Sequence, residues 1–465
     1  MRSRSQAQGV CNLTAVPLPT SAAAPPDLAA RFAERLPPLR PDEALLEANR
    51  CLYCYDAPCT RACPTHIDIP AFIKKISTDN LKGAARVIME SNIMGASCAR
   101  VCPVEELCEG SCVYNDVSRP IAIGRLQRHA TDYLFARDIR LFEPAPSNGR
   151  AVAVVGAGPA GLSCAAELAR AGCAVTVFDR QTAAGGLATY GIIPLREPVP
   201  VIRAEVQMVA DLGVQFRQGV AIGQDIAMDE LLAAYDGVFL AVGAGSHVHI
   251  PMIPGGDLPG VHDALDLIST VRTAPLESIP IGRRVAVIGA GNTGMDALTI
   301  ARRLGAARVT CVYRRGVAEM TAYPSEYEFV KSEEVEFLWM TAPMRFLAGD
   351  DGRLAAVECV KMRLAEPDAS GRRWPEAVPG SEFVFPVDMV FYATGQQREP
   401  GLFEALNLPH DGGRLLVDPE TLGTAHPKVF AGGDCVSTGA DLTVVAAVQQ
   451  GKRAAWSMLR QMEVL

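Results

Sequence analysis

Eight of the chain's 14 cysteines fall between Cys51 and Cys112. The first group reads C-x2-C-x4-C-x3-C-P and holds Cys51, Cys54, Cys59 and Cys63. The second reads C-x3-C-P-x4-C-x3-C and holds Cys98, Cys102, Cys108 and Cys112. Grouped thiols in a chain without an export signal read as metal ligands rather than disulfides. Two chemistries compete: a pair of tetrahedral zinc sites and a pair of iron–sulfur clusters. In two-cluster ferredoxins the cysteine before proline ligates the other cluster. On that rule Cys51, Cys54 and Cys59 share one cluster, while Cys63 crosses to a second with Cys102 and Cys108. Each cluster then lacks a fourth ligand, and Cys98 and Cys112 remain to supply it.

Two glycine fingerprints bear on the choice of metal. Gly156-Ala157-Gly158-Pro159-Ala160-Gly161 follows an apolar strand and opens a helix. Its first glycine makes a tight turn, its second admits a pyrophosphate, and its third lets helix pack on sheet. The helix N-terminus offers a positive dipole end to that phosphate. Asp179 closes the next strand, where an acid hydrogen-bonds ribose hydroxyls. Far downstream, Gly433 and Asp434 end a strand and Thr443 starts a helix; this resembles the element that holds the rest of a flavin nucleotide, so FAD is the expected occupant. The second fingerprint is Gly289-Ala290-Gly291-Asn292-Thr293-Gly294. Arg314 and Arg315 stand where the first unit has its acid. Arginine there can pair with a 2′-phosphate, which leans to NADPH over NADH. Ala393-Thr394-Gly395 is the second strand-end turn expected to border this nicotinamide site.

No C-x-x-C follows the flavin fingerprint, and Cys164 and Cys173 read as core thiols. Electrons leaving the flavin therefore need another exit. Zinc is redox-silent and offers none; iron–sulfur clusters do.

The elements that position these residues follow from periodicity. Residues 41–148 show helical spacing with cysteines in the connections, and FEPAPSNGR (142–150) is a linker. The expected class is α/β: an α-helical double 4Fe–4S domain, then two Rossmann-like domains. The FAD domain takes residues 149–278 and 388–465, and the NAD(P) domain, 279–387, is inserted in it. Residues 1–40, rich in Ser, Ala and Pro, read as a flexible leader. Net charge −8 gives no reason to expect nucleic acid as a partner. No run of about 20 apolar residues marks a membrane span, and with the thiol usage this points to the cytoplasm.

The segments RCLYCYDAPCTRACPTHIDIPAFI, GASCARVCPVEELCEGSC and IAIGRLQRHATDYL resemble the NAD(P)H-oxidising half of dihydropyrimidine dehydrogenase, a separate small subunit in bacteria. More distantly the chain is similar to the glutamate synthase small subunit. The resemblance covers residue 40 to the end. It implies two 4Fe–4S clusters, one on Cys51, Cys54, Cys59 and Cys112, the other on Cys63, Cys102, Cys108 and Gln127, with Cys98 spare. The residues alone would have used Cys98 and left Gln127 on a helix surface. It also implies FAD contacts at Val101, Gly158, Ala160, Asp179, Leu187, Arg196, Gly433, Asp434 and Thr443. Nucleotide contacts would be Ala290 to Thr293, Arg314, Arg315 and Ala393 to Gly395.

Two departures matter. The stretch GIIPLREP puts Ile193, Leu195 and Glu197 out of the family pattern, and Thr321 stands where NADPH-using relatives carry an arginine, which weakens the 2′-phosphate argument. The resemblance pulls towards NADH, and NADH and NADPH both stay open. The implied activity is electron input: NAD(P)H reduces FAD, and electrons pass through both clusters to a large subunit holding FMN and iron–sulfur centres. That hetero-oligomeric partner reduces uracil or thymine to the 5,6-dihydro form. No catalytic acid or base is expected here, since the cofactors carry the chemistry. His247 and His249 read as loop or strand residues. The alternatives are a glutamate synthase small subunit and, in another class, a zinc-binding scaffold.

Overall fold

The computed structural model describes residues 27–245, 253–368, 373–398, 400–439 and 442–464. His247, His249 and the first 26 residues of the expected leader lie outside them.

The cysteine-rich part is helical: Pro41–Asn49, Ile69–Ser77, Leu81–Ser91, Gly95–Val101 and Ile123–Ala136. Asp68 and Asn80 cap two of these, their side-chain oxygens accepting from the N–H of Ala71 (3.0 Å) and Gly83 (2.9 Å). The apolar faces meet in one core around Phe72, Ile73, Ile88, Leu126 and Leu134. Each such side chain contributes roughly 1.5–3 kcal/mol on burial.

Two five-stranded parallel sheets follow. The first runs Val429–Ala431, Gly237–Leu240, Ala151–Val155, Ala174–Asp179, Gln215–Gln218. Its edge strand comes from the C-terminal part, so the chain does return to finish this sheet. The last helix, Val444–Gln461, then packs on Pro159–Arg170. A Cβ at Gly451 would collide with the Ala160 carbonyl. This close approach is why glycine stands mid-helix, where it costs about 1 kcal/mol relative to alanine.

The second sheet runs Val261–Asp263, Met389–Tyr392, Arg284–Ile288, Arg308–Val312, Glu336–Leu338. It starts earlier and ends later than the expected 279–387. Strand Arg284–Ile288 is buried and needs a hydrogen-bonded neighbour on each side. Met389–Tyr392 supplies one in register with Val285–Ile288. The sequence reading missed an antiparallel sheet built from Thr341–Ala348, Leu354–Leu364, Pro375–Ala377 and Phe383–Pro386.

The inner end of the expected leader is also structured. Leu28 and Phe32 are buried in the core of the second sheet unit. The N–H of Arg35 donates to Leu195 O at 2.8 Å, and its guanidinium pairs with Glu326 at 3.5 Å. Two apolar side chains at helical spacing suffice to tie this segment down. No helix among the described residues is long and apolar enough to cross a membrane.

Candidate electron-transfer site

Proline sets the thiols at helix ends. Pro58 opens the short helix Pro58–Ala62 that carries Cys59. Cys63 and Cys102 each cap a helix C-terminus immediately before proline, because the residue before proline is driven out of the α region. A pocket is lined by Cys51, Cys54, Cys59 and Cys112, with Leu52, Ile73 and Val113 among the apolar walls. Cys51 and Cys59 both feel the charge of Cys112. Cys112 thus lines the same pocket as Cys51, Cys54 and Cys59. Cys102 lies near Cys98, Cys108 and Cys63, an arrangement that fits the expected crossing of Cys63 to the second group.

Burial pushes the Cys59 thiol up to about 11 and holds Cys108 well above the ordinary thiol range; Cys102 is held there by its contact with the Cys98 thiol and, after that, by burial. Such thiols ionise only when a bound metal supplies the compensating charge. Among the described residues no three His, Cys, Asp or Glu side chains converge as a grip for a single metal ion. Four thiols around one pocket are a donor set that either a 4Fe–4S cluster or a zinc ion could use, and only the cluster would carry electrons.

Gln127 is buried, on helix Ile123–Ala136, and is not the surface residue that the sequence alone suggested. Its Nε2 donates to Gly95 O at 2.7 Å, which leaves the amide oxygen as the group that could ligate. Cys98 sits buried on the packed helix Gly95–Val101, its sulfur against Cys102.

The flavin fingerprint forms a cradle. Gly156 adopts φ 106°, and a Cβ there would strike the Ala241 carbonyl. Gly158 caps helix Pro159–Arg170, with Ala160 and Gly161 in its first turn. Asp179 orders the turn, accepting from Ala157 N–H at 2.6 Å and Gln181 N–H at 2.7 Å. Gly433 N–H donates to Gln450 Oε1 at 2.6 Å, and Gly433 faces Ala160 across the cradle. Asp434 is half-buried, and the partial loss of solvent pushes its carboxyl up; Arg398 and Arg414 oppose this. Thr443 caps the last helix, accepting from Ala446 N–H at 3.2 Å. Leu187 opens helix Leu187–Tyr190 and is partly exposed.

Arg196 donates to Val101 O at 3.5 Å, which brings two expected flavin contacts together. It also pairs with Asp296 (3.7 Å) and Glu326 (3.6 Å) of the second nucleotide unit. Burial pushes Asp296 up to about 7 despite this arginine. Sequence reading missed Asp296 and Glu326. The one available signal was an acid on the buried face of the helix that follows the second fingerprint.

The second cradle mirrors the first. Gly289 adopts φ 126°, and a Cβ there would strike the Ala393 carbonyl. Ala290 is buried and Gly291 caps helix Asn292–Arg303, whose second residue is Thr293. Asn292 Oδ1 accepts from Tyr323 N–H at 3.1 Å. Thr394 and Gly395 (φ 109°) follow Ala393 at the strand end. Arg314 is exposed. The Nε and Nη2 of Arg315 are buried with no hydrogen-bond partner among the described residues. An orphaned guanidinium beside a phosphate cradle fits an anionic ligand.

Comparison with known proteins agrees with this geometry. Residues 28–139 match the family model for dihydropyrimidine dehydrogenase domain II, 4Fe–4S cluster. Residues 150–451 match the pyridine nucleotide-disulphide oxidoreductase model. The chain is 38% identical over 450 residues to a glutamate synthase [NADPH] small chain of Halomonas elongata, covering 94% of each. It is 32% identical over 430 residues to the NAD-dependent dihydropyrimidine dehydrogenase subunit PreT of Salmonella typhimurium, covering 92% of this chain and 97% of that one. The fold is similar to Mycobacterium tuberculosis FprA in complex with NADPH, with TM-score 0.57 at 19% identity over 69% of this chain and 85% of that one. It is also similar to T. acidophilum thioredoxin reductase, with TM-score 0.52 at 20% identity, over 68% and 99% of the two chains.

Proposed function

From a chain that belongs to the pyridine nucleotide-disulphide oxidoreductase family and is an NAD(P)H-dependent FAD and iron–sulfur oxidoreductase subunit, we propose the electron-input subunit of a bacterial dihydropyrimidine dehydrogenase. Its partner is a large subunit with FMN and iron–sulfur centres that reduces uracil or thymine to the 5,6-dihydro form. FAD, when bound, would accept one hydride, that is two electrons, and 4Fe–4S clusters would pass those electrons singly. The chain's own residues bind and orient. The two glycine cradles hold the nucleotides, Cys51, Cys54, Cys59 and Cys112 hold one cluster, and Cys63, Cys102 and Cys108 hold the other with Gln127.

The observation that carries the pyrimidine reading is the wording of the first cysteine group, Asp56-Ala57-Pro58-Cys59; the same resemblance gives Gln127, buried and donating to Gly95 O, the place of a cluster ligand. A neutral ligand in place of a thiolate removes one negative charge from the cluster and raises its potential, as histidine does in Rieske centres. Arg315 favours NADPH on the strength of its orphaned donors. The glutamate synthase reading rests on the full-length 38% identity. Both readings place the chain in a cytoplasmic hetero-oligomer.

Co-purification of the native partner tests this. The proposal expects a partner with an FMN barrel and NAD(P)H-dependent conversion of uracil to dihydrouracil. A partner carrying an amidotransferase domain, with glutamate formed and no uracil consumed, overturns the pyrimidine reading in favour of glutamate synthase.

A further inference from the structure

The helix Gly95–Val101, which ends on Cys102, is held by two acids from the flavin unit. Glu205 Oε1 accepts from the N–H groups of Ala96 (2.7 Å) and Ser97 (3.1 Å). The Ser97 hydroxyl lies in short hydrogen bonds with both Glu205 Oε2 and Glu197 Oε1. Ser97 and Glu197 are 0% exposed and Glu205 is 1% exposed. Glu197 Oε2 has no hydrogen-bond partner among the described residues. A serine hydroxyl has one proton to give. It can satisfy one carboxylate, and the other carboxyl must donate its own proton to the serine oxygen. The pair and the hydroxyl therefore hold together only while they share one extra proton.

The neighbouring cations do not replace that proton. Arg272, from helix Ala264–Thr273, donates its three nitrogens to the carbonyls of Ala188, Thr189 and Glu197. Arg100 is engaged by Glu34 and Asp132. Arg196 turns to Asp296 and Glu326. Arg203, on the helix that carries Glu205, bears on Arg272, and Lys452 of the last helix donates to Ser91 O at 3.0 Å.

We propose that Glu197 and Glu205 are positioning residues that clasp the cysteine-bearing helix to the flavin unit through Ser97 and one shared proton. Burial pushes Glu197 up to about 7 and Glu205 up to about 8. The clasp is therefore whole at pH 6 and opens as pH rises through 7 and 8.

Hydrogen exchange on the holoprotein tests this, with the amides of Ala96 and Ser97 as reporters and the electron paramagnetic resonance of the dithionite-reduced clusters as a spectroscopic signature. Glu205→Ala is expected to speed exchange at both amides by about tenfold or more and to change the signal of the second cluster. Glu205→Gln keeps protection, since its amide oxygen accepts from both N–H groups and its nitrogen donates to Ser97. Where Glu205→Ala does not fold, Ser97→Ala removes the shared hydroxyl alone and opens the clasp. Wild type loses protection between pH 7 and 9 beyond the intrinsic base-catalysed rise, and Glu197→Gln abolishes that extra loss. The proposal is overturned if wild-type exchange follows the intrinsic pH dependence throughout, or if the alanine variants leave both exchange and signal unchanged.

Discussion

Cys112 and Cys98 are equivalent by spacing, yet they occupy different places. Cys112 lines the pocket with Cys51, Cys54 and Cys59; Cys98 backs onto Cys102 from inside a helix. Cys112→Ser should lower bound iron by about one cluster, whereas Cys98→Ser should leave iron unchanged and Gln127→Ala should destabilise only the second cluster. Iron and acid-labile sulfide counts on anaerobic protein check all three. The Cys-Pro steps made the helix ends at Cys63 and Cys102 legible in the sequence, because proline fixes where a helix must stop. The place of Cys112 was not legible, because it depends on how a loop folds back over the first group. At the nucleotide site, Arg315→Ala should raise KM for NADPH about tenfold or more and leave KM for NADH unchanged. Equal effects on both nucleotides would remove the 2′-phosphate argument.

The elements show the same division. Glycine fingerprints announce strand, turn and helix because few other sequences can make that turn, and both appear where expected. The contact between the last helix and Pro159–Arg170 was not legible, since the reason for Gly451 is the Ala160 carbonyl on a distant element. Gly451→Ala should cost about 1–3 kcal/mol by overpacking and reduce flavin retention, as read by thermal melting and the bound FAD spectrum. The antiparallel sheet over 341–386 escaped reading because its strands mix buried and exposed positions irregularly and shift register near Leu354 and Glu358. The second sheet outgrew its expected bounds for a related reason: its neighbour strands come from either side of the fingerprint unit.

Across the whole molecule, buried acids join the units. Glu197 and Glu205 tie the iron–sulfur helix to the flavin unit. Asp296 and Glu326 meet Arg196 from the nicotinamide side. Periodicity cannot reveal such acids, because it assigns them to solvent. Both carboxyls of the first pair have folded values above the ordinary carboxylate range, at about 7 and about 8. The stability that they contribute is complete below the unfolded carboxylate value and is lost as pH rises through 7 and 8. Thermal unfolding of the holoprotein should therefore show Tm falling as pH rises from the ordinary carboxylate range to about 8 and levelling above it, and Glu197→Gln should flatten that fall.

The central claim is that seven of the eight grouped thiols, with Gln127, serve electron transfer. Metal and sulfide analysis of anaerobically purified protein, read beside its spectrum after adding NAD(P)H, tests it most directly. The account predicts about eight iron and eight sulfide per chain, with clusters bleached by the nicotinamide. Stoichiometric zinc without iron, or clusters that stay oxidised while the flavin is reduced, would contradict it.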